Sequence, residues 1–281
     1  MVLSAPSILV LPALAHEGTG RAGFRDDLEI EIESEFYTGR RGYLHGGLGA
    51  IIPLNEKQKI GIVGHFVREE TGGAIFPSLG AEFVQDLGHG FDLEAYSFGY
   101  FPVERQHAWA AGLRASRRIK LNDHFTIAPF FGPTYARVQA IEEPTANPVT
   151  VDHLMFLGGV AVHAERFEFS VFASQSFFGR DPVGLETHVD LEEMTHFAAY
   201  ENNDGFARNS TGAEVSYTPV EWLRLTGRYA LILYDDETRH SISFTPAIKV
   251  SSHWEFFGGV QLLRGDGLEN DLIVGGASFG F

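Results

Sequence analysis

The chain has 281 residues, 37 acidic against 21 basic side chains for a net charge of −16, and no cysteine. These figures exclude a disulfide scaffold, a thiolate metal centre and a cysteine nucleophile, and a polyanion of this size repels nucleic-acid phosphates. No run approaches the roughly 18 consecutive apolar residues of a membrane helix, so any membrane crossing must be made by strands.

Taken in chain order, the first segment is uncharged and apolar and closes on Ala13-Leu14-Ala15, the small-x-small pattern that precedes secretory cleavage. A cleaved signal peptide over 1–15 is therefore expected, although the usual positive start is missing, with a single domain over 16–281. The next segment alternates with a period of two: Leu28, Ile30, Ile32 and Phe36 fall on one face, and Glu29, Glu31, Glu33 and Glu35 on the other. A helix would scatter those glutamates around its axis, whereas a strand collects them in a column. The same alternation predicts strands near 27–38, 42–54, 58–68, 77–87, 91–102, 107–121, 124–136, 149–164, 167–178, 206–218, 222–234, 241–251, 254–263 and 271–281. Most exceed the roughly 9 to 11 residues that cross a bilayer at a tilt. The count is fourteen, or twelve if the first or the 42–54 segment is not a strand.

The connectors alternate in kind. Every second one is tight: Asn55-Glu56-Lys57, Gly88-His89-Gly90, Asn122-Asp123, Glu165-Arg166, Val220-Glu221 and Ser252-His253. An aromatic follows most of these closely, at Phe91, Phe125, Phe167, Trp222 and Trp254, which with the terminal Phe281 predicts a ring at one height, as amphipathic rings prefer at a membrane boundary. The other connectors, 68–76, 140–148, 179–205 and 263–270, are expected to be longer loops, rich in acids.

Strand length, the one-sided aromatic ring and the ending Ala277-Ser278-Phe279-Gly280-Phe281 together resemble the outer-membrane β-barrels of Gram-negative bacteria, whose closing strand typically ends in Phe as an assembly signal. The resemblance spans the whole chain after residue 15 and matches no specific subfamily. It implies an all-β, antiparallel up-and-down barrel with both termini in the periplasm, short periplasmic turns and longer outer loops. It further implies outer-membrane lipid, lipopolysaccharide and the barrel-assembly machinery as partners, the last through the C-terminal strand, and small solutes as cargo.

If the apolar alternates face lipid, the others face the lumen. Glu29, Glu31, Glu33, Glu35, Glu82, Asp86, Asp92 and Glu94 then form an acidic wall, and Arg114, Arg118, Lys120, Arg224, Arg228 and Lys249 a basic sector partly facing it. Two segregated walls would set up a transverse field across an open pore, an arrangement in which the sequence resembles general porins. The alternative is lateral pairing, Asp92 or Glu94 with Arg114 or Arg118, in a filled barrel. Strand number favours the open pore, since about eight strands are filled by side chains and 16 to 18 leave a channel. The expectation is a passive diffusion channel for small hydrophilic solutes, weakly cation-preferring because its mouth is acidic. Inward Tyr96, Phe98, Tyr100, Phe130 and Phe172 would instead suit a substrate-specific or hydrophobic-compound uptake channel, and a filled lumen a non-conducting, loop-presenting barrel.

No catalytic centre or cofactor is expected. Gly276-Ala277-Ser278-Phe279-Gly280 matches the G-x-S-x-G pattern, but that motif works only at a sharp strand-to-helix turn. His188, Glu192 and His196 have a spacing that one helical face could use for a metal, and 201–205 offers oxygens for Ca²⁺ without the full EF-hand spacing; an ordinary loop is the expectation for both, and no metal.

Overall fold

The computed structural model describes residues 30–39, 42–68, 73–103, 106–140, 147–183, 185, 206–235, 237–265 and 268–280. The expected signal peptide, Glu29, Phe281, the His188/Glu192/His196 trio and the 201–205 segment lie outside the described residues. So do most of the acids of the long loops.

Among the described residues the strands are β1 (Glu31–Thr38), β2 (Leu44–Asn55), β3 (Gln58–Arg68), β4 (Phe76–Gly88), β5 (Phe91–Val103), β6 (Gln106–Arg117), β7 (Ile119–Asn122), β8 (Phe125–Ala140), β9 (Val149–Ala164), β10 (Phe167–Phe178), β11 (Asn209–Val220), β12 (Leu223–Leu233), β13 (Thr238–Lys249), β14 (Trp254–Gly265) and β15 (Leu268–Gly280). No described residue is in a helix long and apolar enough to cross a membrane. Apart from β6 and β7, which do not pair with each other, each strand pairs antiparallel with its neighbours in sequence, and two pairings close the ring: β1 with β15 and β6 with β8. The strands β6 and β7 are one crossing. Ala115 opposite Phe131 and Ile119 opposite Ile127 keep a single register on β8, interrupted at Arg118. The result is a closed barrel of 14 crossings.

The break at Arg118 has a local cause. Its N–H donates to the carbonyl of Gly90 at 2.7 Å, in a turn where Gly88, His89 and Gly90 all have positive φ. Gly90, at φ +75°, needs glycine twice over, for its left-handed backbone and because a Cβ would run into the Arg118 carbonyl.

A strand of about 12 residues is about 40 Å long at ~3.3 Å per residue, and a tilt near 40° leaves about 30 Å of height, the thickness of a hydrocarbon core. The outer face suits that solvent. Phe36, Leu48, Leu79, Leu113, Phe131, Phe244 and Ile273 point outward, Leu48 and Ile273 each 62% exposed. A water-soluble protein could not carry so continuous an apolar surface. Charge on this face lies near the strand ends: Arg137 binds Asp152 at 2.9 Å and Arg264 binds Asp271 at 2.6 Å toward the loops, and Arg117 lies over the Phe91 ring at 4.6 Å near a tight turn.

One expected loop is shorter than anticipated. The polar stretch 263–270 is mostly strand, because β14 runs on to Gly265 and β15 begins at Leu268, so the ladder continues almost to the turn.

Candidate functional site

The lumen is lined by the alternates of the lipid face, and it divides into two layers. The layer nearer the tight turns is charged. Glu94 on β5 stands directly opposite Arg114 on β6, whose guanidinium Nε donates to Oε2 at 2.8 Å, with Nη2 in ion-pair contact with the same oxygen at 2.8 Å. One step nearer the turns, Arg118 meets Asp92 at 3.3 Å. On the far side Glu214 is opposite Arg228, whose Nε donates to Oε2 at 2.8 Å. Arg224 faces Ala247 on β13, a side chain short enough to reach over, and binds Glu255 on β14 at 2.5 Å. Glu82 lies beside Glu94 and within Coulombic reach of Arg114, Glu33 and Lys59, and Arg224 within reach of Glu33.

The inward arginines Arg114, Arg118, Arg224 and Arg228 are thus laced to acids on nearby strands, while Glu31, Glu33, Glu35 and Glu82 keep an acidic group on β1 and β4. The reason is register. Antiparallel pairing sets residues i and j side by side at a Cβ separation of about 5 Å, close enough for a long arginine to find the neighbouring acid before anything across the lumen. Glu31 accepts a hydrogen bond from Ser278 at 3.1 Å, which places Ser278 on β15 against β1 with no turn to a helix after it. Lys120 and Lys249 stand at the rim: Lys120 binds Asp123 across the turn at 2.9 Å, with its side chain 62% exposed, and Lys249 is exposed at the end of β13. The Lys120 ammonium holds the Asp123 carboxyl below the usual carboxylate range.

The layer nearer the long loops is apolar and aromatic. Tyr37, Val63, Phe76, Phe98, Tyr100, Phe130, Met155, Leu157, Phe172, Ile232, Leu263 and Val274 are all buried and form one continuous cluster. Tyr96 is buried beside them, its hydroxyl bonded to Thr134. The described ends of the long loop join in: Phe206 belongs to the cluster and packs edge-on to Phe178 at 5.6 Å, and Leu185 packs against it. Some polar groups in this layer bond one another, Ser174 with Ser210 at 2.7 Å, Gln261 with Ser241 at 3.0 Å and His153 with Ser176 at 2.9 Å. Glu94 and Arg114 are 3% and 5% exposed, so this pair is enclosed by its neighbours in the wall.

Five of the aromatic residues predicted to ring the tight-turn end lie at or beside the tight turns. Phe91, Phe125, Phe167 and Trp254 open β5, β8, β10 and β14 and are exposed on the outer face, with Trp222 exposed at the turn before β12. Trp254 packs on Phe279 at 4.4 Å, and Phe167 stacks on Tyr217 at 4.4 Å. A second set, which strand-by-strand reading missed, lies outward near the loop end: Phe66, Phe101, Trp109, Tyr135 and Phe177, with Trp109 against Tyr135 at 5.4 Å. Its signal was an aromatic near the loop end of β3, β5, β6, β8 and β10. Also missed were His45, His65 and His153, inward histidines on separate strands.

In the long loops, the described acids are held by arginines: Asp235 by Arg208 at 2.8 Å, Asp181 by the same Arg208 at 3.6 Å, and Glu237 by Arg239. Arg208 also sits over the Phe178 ring at 5.1 Å, tying the loop base to the aromatic layer.

Comparison with solved structures places this architecture. The CymD monoaromatic hydrocarbon channel superposes with a TM-score of 0.56 at 9% identity, over 98% of this chain and 92% of that one. The fold is that of outer-membrane channel barrels. The Pseudomonas putida toluene transporter TodX matches with a TM-score of 0.51 at 10% identity over 90% and 88% of the two chains, and a BenF-like porin from Pseudomonas fluorescens Pf-5 with 0.51 at 10% over 90% and 97%. No family model matches the sequence, and no curated protein matches it. The outer-membrane barrel is therefore a resemblance of shape, with almost no residue identity to carry a site across.

Proposed function

We propose that this protein is an outer-membrane channel for small solutes of apolar or aromatic character, which enter through the aromatic layer at the loop end. The observation that carries the reading is that layer: inward Tyr37, Phe76, Phe98, Tyr100, Phe130 and Phe172 belong to one continuous apolar cluster at the loop end of the barrel. Such a surface favours apolar solutes by removing them from water, by roughly 25 cal/mol for each Å² buried. The ion-paired layer beneath is the barrier to ions. Proteins of the same fold named as monoaromatic hydrocarbon channel and toluene transporter support the solute class.

The test is uptake of toluene into cells or proteoliposomes carrying the barrel, beside single-channel currents in a planar bilayer. Saturable toluene uptake that falls in Phe98→Ala and Phe172→Ala, with small ionic currents, is the expected result. Large steady currents, with toluene uptake no greater than in empty vesicles, would overturn it.

A second reading, diffusion of small hydrophilic solutes with weak cation preference, is favoured by the surplus of acids on β1 to β5. There Glu31, Glu33, Glu35, Glu82, Asp86, Asp92 and Glu94 face inward or lie at the inward positions, with Lys59 among them. A reversal potential leaning to cations in a KCl gradient would select it.

Export by a signal peptide over 1–15, assembly through the C-terminal strand and contact with lipopolysaccharide belong to the same proposal. So does the seating of Phe91, Phe125, Phe167, Trp222 and Trp254 at the periplasmic boundary of the membrane, where aromatic side chains favour the headgroup region.

A further inference from the structure

We propose that Glu35, His45 and His65 form a binding site for a divalent transition ion of the Zn²⁺ class on the inner wall of the barrel. The three side chains come from three adjacent strands and converge for a topological reason. Glu35 on β1 is directly opposite Gly47 on β2, and Gly47 is directly opposite His65 on β3. Between them Gly47 contributes no side chain, and a Cβ there would stand 2.9 Å from both Glu35 Oε1 and His65 Cε1. The carboxylate and the imidazole therefore meet over the glycine, and His45, the next inward residue of β2, leans in from above.

The donor atoms are aimed at one point. His45 Nε2 lies 2.7 Å from His65 Nδ1, His65 Nδ1 3.4 Å from Glu35 Oε1, and His45 Nε2 4.0 Å from Glu35 Oε1. Ligand atoms at about 2.0–2.1 Å from a tetrahedral ion are roughly 3.3–3.4 Å apart, and the three separations bracket that edge. Closing on an ion requires the two ring nitrogens to part by about half an ångström and the carboxylate to approach by a similar amount. When an ion takes its place, the proton between the two imidazoles moves to the other nitrogen of its ring, so both ligands stay neutral.

The donor chemistry selects the ion class. Two neutral imidazoles and one carboxylate suit Zn²⁺ and its neighbours, not Mg²⁺ or Ca²⁺, which take oxygen. Three protein ligands leave a fourth position for water or a solute in the lumen. The surroundings hold the rings in place: Tyr37 stacks on His45 at 5.1 Å, and Phe98 meets His65 edge-on at 6.0 Å. All three ligands are buried, His45 completely. The site does not depend on the solute class proposed above.

The experiment uses the detergent-purified, folded barrel after treatment with chelator. Calorimetric titration with Zn²⁺ is expected to give one equivalent bound, with affinity lowered at least about 100-fold in Glu35→Gln, His45→Ala and His65→Ala. Cu²⁺ bound to the wild type is expected to show paramagnetic-resonance splitting from two imidazole nitrogens, and from one in each single histidine variant. Folding of every variant is checked by heat-modifiable mobility. If a histidine variant does not fold, Gly47→Ala, which fills the notch from the other side, carries the same expectation. Failure of the stripped wild type to bind Zn²⁺ would overturn the site. So would Zn²⁺ binding that survives unchanged in the His45→Ala/His65→Ala pair, or a Cu²⁺ spectrum showing fewer than two nitrogens in the wild type.

Discussion

Replacing Arg114 by methionine tests whether the charged layer is held together by its ion pairs. Arg114 and Glu94 are 5% and 3% exposed, directly opposite in register, and joined by two contacts of 2.8 Å to one carboxylate oxygen. Glu82, also buried, is the neighbouring acid. Loss of the guanidinium leaves two adjacent buried carboxylates without their shared cation. Two unit charges at 4 Å interact by about 4 kcal/mol at an effective dielectric constant near 20, in line with the ~3–5 kcal/mol that breaking a buried pair costs. Arg114→Met should therefore destabilise the barrel by about 3–5 kcal/mol. Glu94→Leu combined with Arg114→Met should return to within about 1 kcal/mol of the wild type, because an apolar replacement of both partners is often neutral. Urea unfolding of the barrel in lipid vesicles, followed by heat-modifiable mobility, gives both values. A single variant within about 1 kcal/mol of the wild type, or a double variant as unstable as the single, would refute the reasoning.

Three further outcomes follow from the same geometry. Phe244→Arg, outward near the middle of β13, should cost about 2–4 kcal/mol in the same unfolding assay, and Leu121→Arg at the rim no more than about 1 kcal/mol. Gly159→Val should cost about 1–3 kcal/mol, since a Cβ at Gly159 meets both the Phe130 ring and the Val171 carbonyl, and a wild-type stability would show that the wall can yield there. In a Trp109→Phe background, the fluorescence of Trp222 and Trp254 should be quenched more by lipids brominated near the headgroup than by lipids brominated at the chain ends. The reverse order would move both from the membrane boundary.

The barrel itself was legible because each strand writes its two solvents into every second residue. The column Glu31, Glu33, Glu35 against Ile32 and Phe36 needs no partner strand to be read, and the tight turns mark where the chain reverses. What one strand cannot show is what stands beside it. That Glu94 faces Arg114, and that Ala247 lets Arg224 reach Glu255, are facts of register between strands. The Glu35, His45 and His65 cluster was hidden for the same reason: its members are 10 and 20 positions apart, and the residue that joins them, Gly47, contributes only its lack of a side chain. Strand number speaks to the width of the ring, whereas the bulk of the inward aromatics and the lateral pairing of charges are set by which residues neighbouring strands bring together.

The seam between β1 and β15 governs how the molecule comes into being. Glu31 and Ser278 touch across it although 247 positions separate them in the chain. At eight residues β1 is the shortest of the crossings. Contacts of such separation are the last whose loop-closure cost is met, and until they form the sheet has two open edges, each a template for pairing with another molecule. A nascent copy is thus a curved ribbon with adhesive margins, safe only once its first and last strands have found each other. Its susceptibility to aggregation is set by the time it spends before that closure, not by the stability of the ring it becomes.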